Sequence, residues 1–363
     1  MKKCRVKTSL ILTALFLAGC SSLTPIQPSS SAAAYTKPRV LANFNDYVRF
    51  LKSKALTEGV SESVINAQNN IDYLQKSIDL DRAQAGKIKN RHNSSAQANP
   101  NGATNYLNKV LTENKVDVAL RRYDEVKLPL RRAGSKFGVP PEYLLALWGM
   151  ESGFGYYQGR YDVLSALATL AFDGRRETLF SREFINAMKM LDRHYIDREK
   201  MLGSWAGAMG QTQFMPSAYL NYATDGNNDG KKNIWTEHDD IFASIANYLY
   251  QVGWNEKLPW GMEVTLTQPL DLTLSGAEQN QARSFSAWQK LGVMPKGQTH
   301  EIREKTTALS HAELWLIRPD RENGRAFLVS NNFRTLLNWN KSTYFALSIG
   351  MFADRIKAKG GWH

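Results

Sequence analysis

Cysteine is almost absent from this sequence of 363 residues: the only two, Cys4 and Cys20, both lie in the first 20 positions. A disulfide framework is therefore excluded for the rest of the chain. Acidic residues are also scarce, with 34 Asp and Glu against 46 Lys and Arg, so the formal net charge is +12. A positive balance of this size favours anionic polymers as partners. The 43% hydrophobic content excludes a disordered chain and supports a sizeable core.

The N-terminal residues have the pattern of an export signal. Four Lys and Arg within residues 1–7 precede an apolar run that is too short to span a membrane comfortably. The ending Leu-Ala-Gly-Cys resembles a bacterial lipobox, and Ser21 follows Cys20 rather than an aspartate that would retain the protein at the inner membrane. We therefore expect residues 1–19 to be removed and Cys20 to be lipidated. The alternative is an ordinary cleaved signal with an incidental cysteine.

Export also narrows the choice of partner. Residues 1–19 carry four basic and no acidic residues, so their removal from a net +12 leaves +8. The export signal argues against nucleic acid as the partner, whereas the cell wall offers peptide carboxylates. The expected location is the periplasmic face of the outer membrane, through a lipid anchor at Cys20.

Apolar residues at helical spacing predict that residues 39–363 fold as a mainly α (α+β) domain of enzyme size. Shorter alternating stretches between about 261 and 329 predict a small mixed α/β insertion. A Ser-, Pro- and Ala-rich flexible tether is expected at 20–38, a polar loop at 84–105 and a C-terminal helix at about 341–358.

Glu151 has an unusual place in the stretch PPEYLLALWGMESGFG, residues 140–155. It falls in the last turn of a predicted apolar helix, on the face that carries Leu144, Leu147 and Trp148. Burial and the helix C-terminus are both expected to raise the pKa of this carboxyl, which suits a general acid. The alternative is a glutamate that turns to solvent or pairs with an arginine.

Several segments occur together in a recognisable order: FGVPPEYLLALWGMESGFG, FDGRRETLF, GSWAGAMGQTQFMPSAY, DGNNDGKKNIW and DIFASIANYL. In this order they resemble the membrane-bound lytic murein transglycosylase B family, over nearly all the chain from about Val40. The resemblance implies a lysozyme-like helical core at about 130–255, a flanking helical region and a small β-containing subdomain at about 260–330.

The resemblance also implies a reaction. Glu151 would be the sole acid and base in cleaving the β-1,4 bond between N-acetylmuramic acid and N-acetylglucosamine of peptidoglycan glycan strands, with a 1,6-anhydro product. This agrees with the lack of an obvious second carboxylate, because an intramolecular nucleophile replaces it. No cofactor is required for the chemistry. The alternatives are a hydrolytic muramidase and a non-catalytic, lipid-anchored scaffold; cell-wall synthesis or remodelling proteins are possible partners.

The same match implies substrate-binding residues. Small residues beside Ser204 and Gln213 would let sugar rings approach the backbone, although the segment also suits a structural loop. Trp339 would be a sugar platform, in a segment where many relatives carry an arginine that this chain replaces with Asn338. Three aromatic residues of the cleft are further candidates, with a place in the core as the alternative: Tyr106, Phe214 and Tyr248. Arg175 and Arg176 would face carboxylates of the substrate, with an exposed structural pair as the alternative.

The loop that begins at Asp225 places oxygen ligands at its first, third and fifth positions and glycine at its sixth, as in a calcium loop. Its twelfth position is Thr236 instead of glutamate, so it is not a standard EF-hand. The family closes a longer loop with an aspartate of the next helix, which is best matched by Asp240, with Asp239 as the competitor. The expected ligands of a structural Ca²⁺ are Asp225, Asn227, Asp229, the Lys231 carbonyl and Asp240. A metal-free turn is the alternative.

Overall fold

The computed structural model describes residues 43–93 and 101–362, with the backbone only at 87–93 and at 323. The expected signal peptide, the tether and Cys20 lie outside the described residues. The described residues belong to one compact unit. None of their helices combines the length and the apolar character needed to cross a membrane.

Helices dominate the described residues, which confirms the predicted mainly α class. The fourteen described α-helices are α1 (Phe44–Thr57), α2 (Glu62–Ala67), α3 (Gln75–Asn93), α4 (Gly102–Val110), α5 (Glu113–Phe137), α6 (Pro141–Ser152), α7 (Val163–Asp173), α8 (Glu177–Asp192), α9 (Pro216–Tyr222), α10 (His238–Gln251), α11 (Phe285–Lys290), α12 (His300–Leu309), α13 (Asn331–Trp339) and α14 (Thr343–Gly360).

Two small sheets complete the described fold. A two-stranded sheet pairs β1 (Tyr161–Asp162) with β2 (Leu202–Gly203). The larger sheet has five antiparallel strands in the order β4-β6-β7-β3-β5. Its strands are β3 (Gly261–Leu266), β4 (Arg283–Ser284), β5 (Val293–Pro295), β6 (Glu313–Ile317) and β7 (Ala326–Val329).

The alternating stretches between about 261 and 329 form strands β3, β6 and β7 of the larger sheet, as predicted. One of its faces packs with α11 and α12 in a small core of its own, around the fully buried Trp288. The predicted mixed insertion is therefore present. How it divides from the helical part stays a prediction, because all described residues form one unit.

Helix α6 runs through the centre of the main core. Pro140 and Pro141 begin it, since proline has no N–H to leave unpaired in a first turn. The six residues Tyr143 to Trp148 are all buried, because α5, α10 and α14 pack around them. A helix that is apolar on every side is stable only when it is surrounded in this way. Its last turn is thereby held in a rigid frame.

The predicted polar loop at 84–105 is wrong over much of its length. Helix α3 continues to Asn93 and α4 begins at Gly102, which leaves only 94–101 outside these two helices. The segment lacks an apolar stripe, but it contains Ala, Gln, Lys and Arg, which are strong helix formers. Propensity therefore extends a helix that hydrophobic periodicity did not reveal.

Candidate active site

Glu151 lies in the last turn of α6, where the chain reverses sharply. Gly153, Phe154 and Gly155 follow with φ angles of 58°, 62° and 85°. These left-handed residues end the helix, and the Phe154 N–H donates to the carbonyl of Trp148 at 3.3 Å. Phe154 accepts this backbone because its buried ring packs edge-on against Trp148. The turn thus places the glutamate at the end of a well-packed helix.

The Glu151 carboxyl is partly buried and has few polar partners. Burial raises its pKa from the ordinary value of 4.5 to about 7, and this confirms the predicted rise. One hydrogen bond opposes the rise: the indole Nε1–H of Trp339 donates to Oε1 at 2.6 Å. Among the described residues no second carboxylate contributes to the shift. Glu151 is therefore poised to be half protonated near neutral pH.

An aromatic cluster surrounds the Trp339 side of this carboxyl. The Trp339 ring lies 5.4 Å from the ring of Phe214 and 4.8 Å from that of Tyr248, measured between centroids. Tyr248 also meets Tyr222 at 4.6 Å. Burial raises the pKa of Tyr248 to about 12, so its hydroxyl stays protonated. Three residues predicted separately, Phe214, Tyr248 and Trp339, are thus in mutual contact, and Trp339 brings them to Glu151.

The glycine-rich segment 203–214 holds its two predicted polar residues in tight turns. The Ser204 hydroxyl oxygen accepts from two backbone N–H groups of its own turn, at 3.3 and 3.1 Å. Gln213 has a φ of 52°, and its amide donates to the carbonyls of Gly210 at 2.8 Å and Gln158 at 3.2 Å. Within the described residues neither side chain is hydrogen-bonded to Glu151. Their contact with substrate stays a prediction.

Gln211, two residues before Gln213, has a role that sequence reasoning missed. Its side-chain oxygen accepts from the indole N–H of Trp148 at 2.7 Å, and its amide donates to the carbonyl of Trp235 at 2.8 Å. Gly155 lies against the same amide so closely that a Cβ there would overlap it. Gln211 therefore joins α6, the reversal after Glu151 and the glycine-rich segment. The only signal was a second glutamine in the same motif.

The predicted arginine pair has an internal partner. Both Arg175 and Arg176 form ion pairs with Asp81 of α3, whose side chain is only 1% exposed. One carboxylate faces two guanidinium groups, so Asp81 cannot neutralise both arginines. The arginines remain about one third exposed. A structural role is therefore established for the pair, and carboxylate recognition in the substrate stays a prediction.

Tyr106 packs against the main core and contacts helix α14. Its ring packs against Tyr344 of α14 at 5.4 Å between centroids. The ring of Trp339 contacts those of Phe214 and Tyr248. The cleft role of Tyr106 stays a prediction.

The loop from Asp225 folds around its own backbone. The Asp225 carboxylate accepts from the N–H groups of residues 228, 229 and 230. The amide oxygen of Asn227 and the carboxylate of Asp229 each accept from the N–H two residues later. Asp240 is fully buried and accepts from the N–H groups of residues 226 and 233. Asp239 instead forms a bidentate pair with Arg132, at 2.8 and 2.7 Å. Asp240 is therefore the aspartate that faces the loop.

Whether this loop fits calcium depends on both donor type and geometry. Carboxylate, amide and carbonyl oxygens are the ligands that Ca²⁺ prefers. Burial raises the pKa of Asp240, and the charges of Asp225 and Asp229 raise it further, so these three carboxylates repel one another. Within the described residues, however, no three acidic, histidine or cysteine side chains are grouped closely enough to hold a metal. The oxygen donors of the loop are thus of the type that Ca²⁺ prefers, and Lys231 could contribute only its backbone carbonyl.

A family model described as the transglycosylase SLT domain matches residues 43–354. The chain is 31% identical over 260 residues to the membrane-bound lytic murein transglycosylase B of Escherichia coli (strain K12). The matched region covers 71% of this chain and 68% of that protein.

Solved structures are also similar. SltB3 from Pseudomonas aeruginosa, in complex with NAG-anhNAM-pentapeptide, is 31% identical and superposes with a TM-score of 0.74 over 87% of this chain and 80% of that one. The Escherichia coli lytic transglycosylase Slt35, in complex with calcium, is 25% identical with a TM-score of 0.69 over 86% of this chain and 93% of that one. On these matches, together with its helical core and the glutamate at the end of its buried helix α6, the protein belongs to the SLT family of lytic transglycosylases.

Proposed function

We propose that the protein cleaves the β-1,4 bond between N-acetylmuramic acid and N-acetylglucosamine of peptidoglycan and closes a 1,6-anhydro ring on the muramyl residue. The observation that carries the proposal is Glu151, a partly buried carboxyl with a pKa of about 7 and no second carboxylate acting on it among the described residues. The family supports the substrate class, and a relative has been solved with an anhydro-muramyl peptide.

In the first step protonated Glu151 acts as general acid. Its proton passes to the glycosidic oxygen as the bond between that oxygen and muramyl C1 breaks, so N-acetylglucosamine leaves as a neutral alcohol. A carboxyl with a pKa near the working pH suits this transfer, because it is protonated often enough and still acidic enough to donate. The 2-acetamido group of the substrate stabilises the positive charge that develops at C1.

In the second step the Glu151 carboxylate acts as general base. It takes the proton of the muramyl O6 hydroxyl while O6 forms a bond to C1, which closes the anhydro ring and restores the protonated acid. The reaction consumes no water, and the single carboxylate serves both steps. A hydrolase would instead add a water to C1 in this step and leave a reducing end.

Trp339 is the positioning residue for this acid. Its N–H occupies Oε1, so the proton is carried by Oε2, and the rings of Phe214 and Tyr248 limit the movement of the indole. The donor favours the ionised carboxylate and keeps the pKa from rising further. It therefore tunes the acid as well as orienting it.

The remaining substrate contacts belong to the proposal. Phe214, Tyr248 and Trp339 would bound the sugar site, with Ser204 and Gln213 in the tight turns of segment 203–214. The excess charge at Arg175 and Arg176 would attract the carboxylates of stem peptides, since guanidinium groups bind carboxylates in a bidentate way. The role of Tyr106 as a cleft residue rests on the family resemblance alone.

The test is digestion of purified sacculi with the chain from Cys20 onward, its lipidated cysteine replaced, followed by mass spectrometry of the released muropeptides. We expect anhydro-muramyl ends. Reducing ends would identify a hydrolytic muramidase, and an absence of release together with tight binding would identify a wall-binding scaffold. Either result would overturn the proposed reaction.

For the loop at 225–240 we propose a structural Ca²⁺ held by oxygens of Asp225, Asn227, Asp229 and Asp240 and by the Lys231 carbonyl. Its role would be to offset the burial of Asp240 and the repulsion from Asp225 and Asp229, which together raise the pKa of Asp240. The calcium complex of Slt35 supports the ion's identity. The metal would take no part in the chemistry, because Glu151 supplies both proton transfers.

The metal proposal predicts a loss of thermal stability on chelation. We expect EDTA to lower the melting temperature and added Ca²⁺ to restore it, since a ligand that binds only the folded state stabilises it. Asp225→Ala should melt at the same temperature with and without EDTA. Arg132→Ala, which releases only Asp239, is the matched control and should keep the response. An unchanged melting temperature for the parent chain would contradict the metal site.

The cellular setting is also a proposal. The relative in Escherichia coli is membrane-bound by name. An acyl chain on Cys20 would hold this protein at the outer membrane, facing the periplasm, with peptidoglycan as its substrate. Labelling cells with a clickable fatty acid, with Cys20→Ser as control, tests the anchor. Interaction with cell-wall synthesis or remodelling proteins stays a prediction.

A further inference from the structure

Two tyrosines just after the catalytic turn expose their rings to solvent. Tyr156 is 81% exposed and Tyr157 70%, the highest values for large apolar side chains among the described residues. Their rings meet edge to face, with centroids 4.7 Å apart. Neither hydroxyl has a hydrogen bond within the described structure. An exposed aromatic pair contributes little to folding and is typical of a surface that binds something.

The backbone holds this tyrosine pair in a fixed position. The Tyr157 N–H donates to the carbonyl of Ser152 at 2.7 Å, and the Tyr156 N–H donates to that of Gly153 at 3.4 Å. The Tyr157 ring lies over Gly153, where a Cβ would come within 2.8 Å of it. Gly153 is two residues from Glu151, so one ring is packed against the reversal that ends the catalytic helix. This contact limits the movement of the Tyr157 ring, so that ring loses less freedom on binding.

The same loop is tied to the glycine-rich segment on its other side. Gln213 donates to the carbonyl of Gln158 at 3.2 Å. Gly159 lies against the backbone of Gly203, and the loop then enters β1, where Tyr161 pairs with Gly203. The tyrosines therefore stand between two parts of the proposed active site, the end of α6 and segment 203–214. The loop that carries them is thus bonded to both parts of that site.

We propose that Tyr156 and Tyr157 form a stacking platform for a sugar ring of the glycan strand, beyond the sugars held at Glu151. The proposal rests on the proposed function for its ligand class and adds a binding subsite to it. A tyrosine ring packs against the C–H face of an aminosugar, and its free hydroxyl hydrogen-bonds to sugar hydroxyls. Because the rings are edge to face, one lies flat on the sugar while the other contacts its edge.

The first test measures binding without turnover. The Glu151→Gln chain is mixed with purified sacculi and sedimented, and its affinity is compared with that of the triple variant Glu151→Gln/Tyr156→Ala/Tyr157→Ala. We expect about tenfold weaker binding for the triple variant. Equal affinities would overturn the platform. A single Tyr156→Ala change leaves the packing of Tyr157 on Gly153 intact and tests the pair if the triple variant melts early; it too must bind more weakly.

Two controls separate stacking from other causes. Replacing both tyrosines by phenylalanine keeps the rings, so binding should stay within about threefold of the parent; a fall to the level of the alanine variant would contradict stacking. Tyr250→Ala removes a ring that is 59% exposed on α10 and packs beside Phe137. It should leave binding unchanged, and a loss equal to that of the tyrosine pair would also contradict the platform.

Turnover distinguishes this inference from the proposed function. In the active chain, the two alanine changes should raise KM for sacculi about tenfold and leave kcat within about threefold, because the rings do not touch the reacting atoms. An unchanged KM would overturn the platform while anhydro products still supported the reaction. If the parent chain released no anhydro product, the proposed function would fail, and the sedimentation comparison would still decide the platform.

Discussion

The two ends of helix α6 each carry a glutamate whose pKa is raised by burial, yet their surroundings differ. Glu142, in the first turn, has a hydrogen bond from backbone, and Lys357 lowers its pKa while Asp354 raises it. Glu151, in the last turn, has aromatic neighbours and one indole donor. Both carboxyls are perturbed, but only one is set apart from other charges. A raised pKa therefore does not by itself identify a general acid.

The cavities at this helix do not identify the catalytic end either. A cavity of about 680 Å³ lies at the Glu142 end, lined by Arg131, Glu256 and Trp362 among others. A second one, of about 310 Å³, lies beside it and also includes Lys357. Both are lined by charges of either sign. The Glu151 end is instead recognised by its chemistry, a lone acid beside aromatic rings and glycine-rich backbone.

The largest expected effect comes from replacing Glu151, the carboxyl that the comparison identifies as the acid. Glu151→Gln should abolish release of anhydro-muropeptides, by about a thousandfold or more, because the amide can neither donate nor accept the required proton. Glu142→Gln is the matched control on the same helix and should keep activity within about threefold. Both are measured by mass spectrometry of digested sacculi. Retained turnover in Glu151→Gln would remove the assignment of the acid.

A smaller effect concerns the indole donor of Glu151, since the hydrogen bond to Glu142 comes from backbone. Trp339→Phe keeps an aromatic ring but loses the N–H that favours the carboxylate, so the pKa of Glu151 should rise by about one unit. Because the protonated acid is the active form, the fall in kcat at alkaline pH should move upward by the same amount. The measurement is a pH profile of kcat.

Trp235→Phe is the control for this substitution, since its indole N–H donates to the backbone carbonyl of Leu202 instead of to an acid. Its pH profile should match that of the parent. A profile of Trp339→Phe that is lowered in height but not displaced would show that the tryptophan binds sugar without tuning the acid.

The smallest effect is on stability. With its folded pKa raised from 4.5 to about 7, Glu151 binds its proton more tightly in the folded state, so it lowers stability as the pH rises through this window. Glu151→Gln should therefore be more stable than the parent above pH 7, by no more than about 3 kcal/mol, and equal to it below pH 4. Urea unfolding at both pH values measures this.

The other end of the helix sharpens the stability comparison. Glu142→Gln should show the same sign but a smaller gain above pH 7, because Lys357 already stabilises the charged Glu142. A larger gain in stability for Glu142→Gln than for Glu151→Gln would reverse the comparison, because Glu142 would then be the carboxyl with the more strongly raised pKa.

The error at 84–105 and the success at Glu151 have the same origin. Periodicity and local spacing report on a single helix, so they placed Glu151 on an apolar face and missed a polar helix without such a face. They say nothing of partners far away in the chain. The Trp339 donor to Glu151 comes from 188 positions away, and Asp81 lies 94 and 95 positions before its two arginines.

The choice between Asp239 and Asp240 shows the same limit. The two residues are adjacent and chemically identical, so spacing could only rank them. Arg132 on α5 binds Asp239 from outside the loop, while Asp240 turns inward to the backbone N–H groups. A contact between two helices made the assignment.

By itself, the sequence determined the mainly helical class, the family and the position of an acid at the end of a buried helix. These follow from local pattern, since apolar spacing, proline at the start and glycine after the end act within a few residues. Only the tertiary structure decided what surrounds that acid, because burial and the indole donor come from distant segments. The pKa of about 7 belongs to that assembly and to no single stretch of the chain.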